Sequence, residues 1–416
     1  MSRESGKHVA TSPAPLSRRT ILRGLAAIAA TPLASRVARA AGPSAVNVGV
    51  ILPLSGANAQ FGINARNGIQ LVADEINAAG GIKGLGGARI NLVIADATST
   101  PTTAATVAQR FITQNEVVAI LGAFASSLTL AISEVTERRE IPLLTMSFAD
   151  QLTERGFKYI FQVVPKGSVL GRAQFDDTVA IARAAGEKLE RVAIMYEDTA
   201  YGTAQAGGLR AAAKGAGIAV VLDEAYPLGI TDAMPLVNKL RASGAQVAFP
   251  VSYLNDSLLI IRAMRQQRLD VPAVGGAAGY VIPDFWKGLG EYAENVLSIS
   301  PSNYDLAPEL TDRFRKRFGY FMVHEAIEHA VTLDVLARAM DKAKSKDPPT
   351  IRQALLDTSF DQGWAKAMPG GGVKFDAKGL NARAVPIMVQ WRRGELATVW
   401  PEGGARGKPV WRGRKE

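Results

Sequence analysis

Ser126 and Ser127 are the residues of this sequence whose type and position best suit binding chemistry. They follow the apolar run 117–121, which is typical of a buried strand, and they directly precede a helical pattern. Two hydroxyls and the free backbone N–H groups of a first helical turn would then meet at one helix N-terminus, an arrangement that suits a carboxylate. The same serines could instead cap their own helix, and the two roles can coexist.

Aromatic side chains follow other predicted strands. Phe61 comes after the first strand, Tyr201 and Tyr253 come after two later strands, and Gly276–Tyr280 follows a further one. Open α/β sheets bind ligands at the carboxyl ends of their strands. A single tyrosine at such an edge usually packs at a rim, but aromatics at the strand ends of two series predict an apolar cleft.

The sequence lacks the residue patterns that are typical of catalytic and metal-binding sites. Beyond residue 40 the histidines are His324 and His329. Their i, i+5 spacing places the rings ~140° apart around a helix, whereas a metal pair needs i, i+4. We expect two solvated or half-buried helix histidines. The glycine-rich stretch 84–87 lacks a third fingerprint glycine, and the chain has no cysteine. The sequence predicts no catalytic residue, no metal and no cofactor, and therefore a binding protein instead of an enzyme.

The predicted elements alternate between short apolar strands and amphipathic helices. The first series has strands at 46–52, 90–95, 117–121 and 143–144, and the second has strands at 192–196, 218–222, 247–250 and 273–275. Such apolar runs are typical of parallel strands that are buried on both faces. Two consecutive βαβ series predict two doubly wound α/β lobes.

The pattern changes beyond residue 300. Helices are predicted near 308–318 and 322–344, and extended segments around 385–390 turn back at Arg392–Glu395. Residues 403–416 have the composition of a frayed end. Periodicity alone does not assign these elements to either lobe.

Charge is concentrated at the two ends of the chain. The 416 residues contain 48 Lys and Arg against 38 Asp and Glu, which gives a net charge of +10. Residues 1–40 hold 7 basic and 1 acidic residues, residues 392–416 hold 7 and 3, and the body between them holds 34 of each. A neutral body with few aromatics offers no continuous footprint for nucleic acid, so we expect no nucleic-acid partner.

Residues 1–40 resemble a twin-arginine export signal. Arg18 and Arg19 precede a weakly apolar stretch, and Ala38-Arg39-Ala40 supplies small residues before a cleavage point. A basic amphipathic arm or a short membrane anchor is the alternative, but the apolar stretch is far shorter than the ~20 residues that span a bilayer. Because the chain has no cysteine to carry a lipid, we expect export to the periplasm without a lipid anchor and without embedding in the membrane.

Several short motifs, taken in order, resemble the periplasmic leucine/isoleucine/valine-binding proteins of ABC transporters. The resemblance covers Val46 to Pro401 and rests on Leu52-Pro-Leu-Ser-Gly with Phe61-Gly, Asn77-Ala-Ala-Gly-Gly-Ile-Lys-Gly, Leu121-Gly with Ser126-Ser127, Leu152-Thr153-Glu-Arg-Gly, Asp198-Thr-Ala-Tyr201-Gly202 and Phe375-Asp-Ala-Lys-Gly379.

The resemblance implies a type I binding-protein fold, in which two lobes joined by three crossovers close on a ligand by a hinge motion. The crossovers would lie near 163–165, 297–300 and 370–373. Residues 44–164 and 301–370 would then form lobe one, residues 165–300 and 371–401 would form lobe two, and residues 402–416 would be a basic tail.

The resemblance also implies a set of ligand contacts. They fall on Phe61, Ser126, Tyr201 and Tyr253, and on Ser147 and Phe148 in a loop that is shorter here than in the family. One contact departs from the family, because Ala277 stands where the amino-acid binders carry an acid for the ligand ammonium. An ammonium is costly to bury without a partner. Either Asp198, or less favourably Asp256, supplies the charge, or the ligand has no α-amino group.

The function implied by the resemblance is a monomeric receptor that captures a small carboxylate with an apolar body and presents it to a membrane permease. The alternative is a ligand-sensing regulator of the same fold, similar to amide-responsive regulators, that signals through a protein partner. Such regulators are expected in the cytoplasm, so the export signal favours the transport receptor.

The export signal leads to the first testable prediction. We expect the mature protein to begin at Ala41, because cleavage would follow Ala40. N-terminal sequencing of the exported form checks this. An intact N-terminus on a cytoplasmic protein would favour the regulator.

Overall fold

The computed structural model describes residues 45–412. The predicted export signal and residues 413–416 lie outside the described residues. The strands are β1 Ala45–Leu52, β2 Arg89–Asp96, β3 Ala119–Gly122, β4 Leu143–Thr145, β5 Ile160–Gln162, β6 Arg191–Glu197, β7 Ala219–Tyr226, β8 Val247–Val251, β9 Val274–Gly275, β10 Leu297–Ser300, β11 Ser359–Phe360, β12 Val373–Lys374, β13 Ile387–Arg392 and β14 Glu395–Trp400. The helices are α1 Ala59–Ala78, α2 Pro101–Gln114, α3 Ser126–Arg138, α4 Gln151–Glu154, α5 Gly167–Ala184, α6 Ala200–Gly215, α7 Met234–Ser243, α8 Leu254–Gln266, α9 Pro283–Leu289, α10 Pro308–Phe318, α11 His324–Ala343 and α12 Pro348–Asp357.

Apart from the antiparallel pair β11–β12, the strands form two sets, one for each lobe. In lobe one, five parallel strands lie in the order β2-β1-β3-β4-β5. In lobe two, the parallel set β7-β6-β8 is joined through a parallel bridge between Ala248 and Ala273 to the set β14-β13-β10-β9, in which the β13–β14 hairpin runs antiparallel. The predicted α/β class with two doubly wound lobes is confirmed, and the observed strands and helices follow the predicted alternation closely.

Connections between the two sets of strands follow β5 and β10. The predicted third crossover, near 370–373, is wrong. The chain stays with lobe one as far as Asn381, because the Gln162 N–H donates to Gly379 O at 2.8 Å and the Asn381 N–H donates to Gln162 O at 2.9 Å. These bonds pair the backbone N–H and C=O groups of Gln162 at the edge strand β5, so the crossover to lobe two follows residue 381. The remaining lobe boundaries stay a prediction.

Crossovers one and three are tied together at the edge of lobe one. The Asn381 side-chain amide donates to Val163 O at 2.9 Å, and its carbonyl accepts from the Lys374 N–H at 3.0 Å. Asn381 is buried, so its side chain supplies the hydrogen bonds that water would otherwise make with the backbone of both segments. The two crossovers therefore share one anchored junction.

The C-terminal segment is docked on lobe two, which contradicts the predicted frayed end for residues 405–412. Trp411 is buried, and the Val410 N–H and C=O both bond the Gln390 side chain. Arg412 pairs with Glu187 at 2.7 Å. The basic composition suggested a free tail, but one buried tryptophan and these contacts hold the segment in place.

Helix α11 is buried along most of its length, and α1 is packed closely against it. Gly68 of α1 lies so near the α11 backbone that a Cβ at this position would stand 2.2 Å from Ala326 O. Ala326 follows His324 and Glu325 directly. The absence of a side chain at Gly68 therefore fixes where the first turn of α11 can lie.

We expect Gly68→Ala to destabilise the protein by about 1–3 kcal/mol, because one of two packed backbones must move. Urea denaturation measures the free energy of unfolding. The matched control is Gly207→Ala in α6, where an added Cβ meets nothing within 4 Å, and where replacing a helical glycine should gain up to about 1 kcal/mol. Equal stabilities of the two variants would contradict close packing of α1 on α11.

Candidate ligand cleft

The carboxyl ends of the strands bring the predicted aromatic residues together. Phe61 lies in the first turn of α1 after β1, and Phe148 lies in the loop after β4, both in lobe one. Tyr201 lies in the first turn of α6 after β6, and Tyr253 directly precedes α8 after β8, both in lobe two. All four side chains are buried. The two lobes therefore meet through side chains that the sequence placed at strand ends.

Five of the aromatic rings form a closed circuit across the cleft. The distances between neighbouring ring centroids are 6.4, 6.4, 5.8, 5.3 and 6.0 Å, in the order Phe124, His324, Phe148, Tyr201, Tyr253 and back to Phe124. Phe61 stacks on Phe124 at 4.4 Å with an interplanar angle of 11°. We call these six residues the aromatic circuit. It provides the apolar surface that the sequence predicted, with Phe124 and His324 as additional members.

Ser126 lies at the edge of the aromatic circuit, at the start of α3. Its side chain is buried, and its Oγ accepts a hydrogen bond from the Ala149 N–H at 3.1 Å. That bond uses an oxygen lone pair and leaves the hydroxyl proton available to an acceptor. The first N–H groups of α3 also lack partners within the helix. Ser127, which is half-buried, follows in the same turn.

Ser147 is buried and makes hydrogen bonds within lobe one. Its hydroxyl donates to Phe124 O at 2.8 Å and lies 2.6 Å from Thr129 Oγ1. These bonds tie the loop after β4 to the loop after β3. Ser147 therefore positions Phe124, whereas its neighbour Phe148 contributes a ring to the aromatic circuit.

In lobe two, Tyr201 fixes the loop that carries position 277. The Tyr201 hydroxyl donates to Gly276 O, and the Ala277 N–H donates to Ser298 Oγ at 3.1 Å. Ala277 is fully buried, with φ of 70°. The position that carries an acid in the resembled family is thus part of the buried wall here, without a charge.

Of the two acids that the sequence proposed as replacements, Asp198 is exposed and Asp256 is buried. Asp198 is exposed, so the structure does not bring it into the buried cleft. Its neighbour Glu197 is buried and accepts from the Thr199 and Gly202 N–H groups at 2.8 and 2.9 Å, which caps α6, and burial raises the pKa of Glu197 to about 7. Asp256 is buried and accepts from the Gly229 N–H at 3.0 Å, and burial raises its pKa.

The prediction of solvated or half-buried histidines is wrong, because both are buried. His324 Nδ1 lies 3.0 Å from a Glu328 oxygen, and His324 Nε2 lies 3.5 Å from a Glu325 oxygen. Burial opposes protonation of His324, but the charges of Glu328 and Glu325 outweigh it and raise the pKa of His324. Burial raises the pKa of Glu325 to about 7 and also raises that of Glu328. His329 donates to Glu325 O at 2.8 Å, and burial lowers its pKa to about 4.

Among residues 45–412, no group of three or more histidine, aspartate or glutamate side chains could hold a metal ion. Within the same range, no helix combines the length and apolar character needed to cross a membrane.

The sequence and the structure are similar to known binding proteins. A family model described as "Periplasmic binding protein" matches residues 45–395. "Leu/Ile/Val-binding protein homolog 8" of Brucella melitensis is 33% identical over 377 residues, which cover 87% of this chain and 92% of that protein.

Among solved structures, the substrate-binding protein LivJ of a branched-chain amino acid transporter from Streptococcus pneumoniae, in complex with isoleucine, has a TM-score of 0.74 and 25% identity. The match covers 85% of this chain and 98% of that one. A solute-binding protein of an ABC transporter from Rhodopseudomonas palustris, in complex with 3,4-dihydroxy benzoic acid, has the same fold, with a TM-score of 0.73, 18% identity and coverage of 85% and 95%.

Buried His329 leads to a prediction about acid stability. The ordinary pKa of 6.5 falls to about 4 in the folded chain, so between these values the unfolded chain binds a proton that the folded chain does not, and stability falls as pH falls. His329→Asn keeps a donor for Glu325 O without titrating. We expect the wild type to lose about 2–3 kcal/mol more than the variant between about pH 7 and pH 4.5. Urea denaturation at each pH measures this, and parallel stability curves would show that burial does not suppress protonation.

Proposed function

Since the chain belongs to the periplasmic binding protein family, we propose that it captures a small carboxylate with an apolar body between its lobes and delivers it to the membrane permease of an ABC transporter. The candidate ligands are a branched-chain or other hydrophobic amino acid, or a related non-amino aliphatic or aromatic acid. The ligand is released unchanged, so the protein is a carrier and not an enzyme.

The aromatic circuit is the observation that carries this proposal. Phe61, Phe124, Phe148 and His324 come from lobe one, whereas Tyr201 and Tyr253 come from lobe two. A ligand held among these rings would contact both lobes at once and would favour the closed arrangement over an open one. That coupling between binding and closure is what a permease would need in order to recognise a loaded receptor.

The groups around Ser126 support a carboxylate as the polar part of the ligand. A hydroxyl with a free proton and the first N–H groups of α3 lie together beside apolar rings. Hydrogen bonds to a charged acceptor are stronger than neutral ones, and they gain further strength where water is excluded. The carboxylate would therefore be bound at α3 while its apolar body lies against the aromatic circuit.

The setting that we propose is the periplasm. The twin-arginine-type signal predicted in residues 1–40 would export the chain, which would act there as a monomer without a lipid anchor. A regulator of the same fold could use the same cleft, but export would separate it from cytoplasmic partners.

A ligand screen tests the proposed function. Calorimetry or thermal shift with branched and aromatic amino acids, their deaminated analogues and short branched acids should reveal at least one ligand that raises the melting temperature. Recovery of the same molecule unchanged after incubation would support a carrier. If no acid in this panel stabilised the protein, the carboxylate would have to be abandoned.

We expect Ser126→Ala to weaken binding of the best ligand by about tenfold or more, because it removes a hydrogen bond to a charged group. The matched control is Ser133→Ala, which removes a buried hydroxyl from the same helix, where it donates to Leu130 O at 2.7 Å. Calorimetry compares the two dissociation constants, and circular dichroism checks the fold. An unchanged affinity in Ser126→Ala would limit this residue to holding the loop after β4 through the Ala149 N–H.

A further inference from the structure

Two buried polar atoms at the wall of the cleft lie close together without a hydrogen-bond partner among the described residues. They are His324 Nε2 and Glu325 Oε2, which are 3.5 Å apart. His324 is 2% exposed and Glu325 is fully buried. An unpaired buried polar atom costs roughly 1–3 kcal/mol. We call this pair of atoms the α11 corner.

The other polar atom of each side chain is already engaged. His324 Nδ1 lies 3.0 Å from Glu328 Oε2, and since a carboxylate only accepts, Nδ1 carries the proton of that bond. Glu325 Oε1 accepts from the Asn64 side-chain amide at 2.9 Å. When His324 is neutral, the α11 corner therefore presents two acceptors, the Nε2 lone pair and the Oε2 atom.

The α11 corner borders the aromatic circuit. The His324 ring centroid is 6.4 Å from the ring of Phe124 and 6.4 Å from the ring of Phe148. These two phenylalanines belong to the loops that hold Ser126, since Ser126 follows Phe124 by two residues and accepts from the N–H of Ala149. A ligand bound at Ser126 thus lies in the same enclosure.

The buried charges around the α11 corner have an acidic excess. The titratable groups near Glu325 are His324, Glu328, His329 and Tyr320. The groups facing the corner from other elements are neutral, namely Asn64 from α1, Ser302 after β10, and the rings of Phe124 and Phe148. Among the described residues, His324 is the one cationic group within ion-pair distance of either carboxylate.

We propose that the α11 corner binds an ammonium group of the ligand, which makes the ligand a zwitterion whose carboxylate lies at Ser126. This inference rests on the function proposed above. The ammonium donates to Glu325 Oε2 and to His324 Nε2, and the faces of Phe124 and Phe148 also favour a cation. The acid that is absent at Ala277 of lobe two is thus supplied by lobe one.

The charge of the α11 corner favours an ammonium over other groups. A second carboxylate would be repelled by Glu325 and Glu328, and a hydroxyl would leave the acidic excess uncompensated. Before binding, a proton on His324 Nε2 offsets part of that excess. The ammonium takes the place of this proton, which leaves to the buffer, so binding of a zwitterion releases a proton.

The experiment compares matched ligands that differ only in the amino group. Leucine is measured against 4-methylpentanoate and phenylalanine against 3-phenylpropanoate, and a series of ω-amino acids varies the separation of the two charges. We expect the preferred zwitterion to bind at least about tenfold more tightly than its deaminated analogue. Calorimetry in buffers of different ionisation enthalpy should show proton release for the zwitterion only.

Glu325→Gln separates this contact from general packing, because it keeps the shape and the bond with Asn64. We expect it to reduce the preference for the amino form over the deaminated acid to within about twofold. The matched control is Glu309→Gln, which removes an exposed carboxylate of lobe one and should leave the preference intact.

Each outcome decides between the two proposals. If the deaminated acids bind as tightly as the amino forms, the α11 corner is not an ammonium site, although the proposed carboxylate function stands. If neither form binds, the proposed function fails and this inference fails with it. Should Glu325→Gln not fold, the proton release of the wild type still decides, since binding of the zwitterion without proton release overturns the inference.

Discussion

The exclusion of water between the two lobes is the constraint on which the rest of the structure depends. The aromatic circuit closes the cleft, so each polar group behind it needs a partner within the protein. Tyr201 finds one in Gly276 O, Ser126 in the Ala149 N–H, and Glu197 in the first turn of α6. The first two bonds join segments that follow different strands, whereas the third caps the helix that follows β6.

Helix α11 connects the closed cleft to the core of lobe one. Its first turn carries His324 and Glu325 at the cleft, and its close contact with α1 at Gly68 fixes the position of that turn. Asn64, one turn before Gly68, bonds Glu325 at the same interface. The packing of α1 on α11 therefore holds His324 and Glu325 in place at the cleft.

The fold and half of the cleft could be predicted because buried parallel strands have a clear sequence pattern. Continuous apolar runs located the strands. The residues that follow these runs lie at the carboxyl ends of the observed strands, namely Phe61, Ser126, Tyr201 and Tyr253. Phe124 was not predicted as part of the cleft, although it stands two residues before Ser126. Its position after the apolar run 117–121 was the signal that could have identified it.

Other features could not be predicted because they depend on contacts between distant segments. The burial of His324 and His329 follows from a helix that is covered on nearly all sides, whereas its polar residues suggested a solvated face. The third crossover is set by hydrogen bonds between residues 379–381 and Gln162. The periodicity of apolar residues along the sequence does not indicate such bonds. The docked tail likewise depends on where Trp411 can be buried.

The charge distribution of the chain explains why these distant contacts matter for function. The body between residues 41 and 391 holds 34 basic and 34 acidic residues, so it has no net field with which to attract an ion. Exposed charges are also screened within about 8 Å at physiological salt. Selection of a charged ligand must therefore come from buried groups, where screening is weak. In this fold such groups exist on both sides of the aromatic circuit, as hydrogen-bond donors at α3 and as carboxylates on α11.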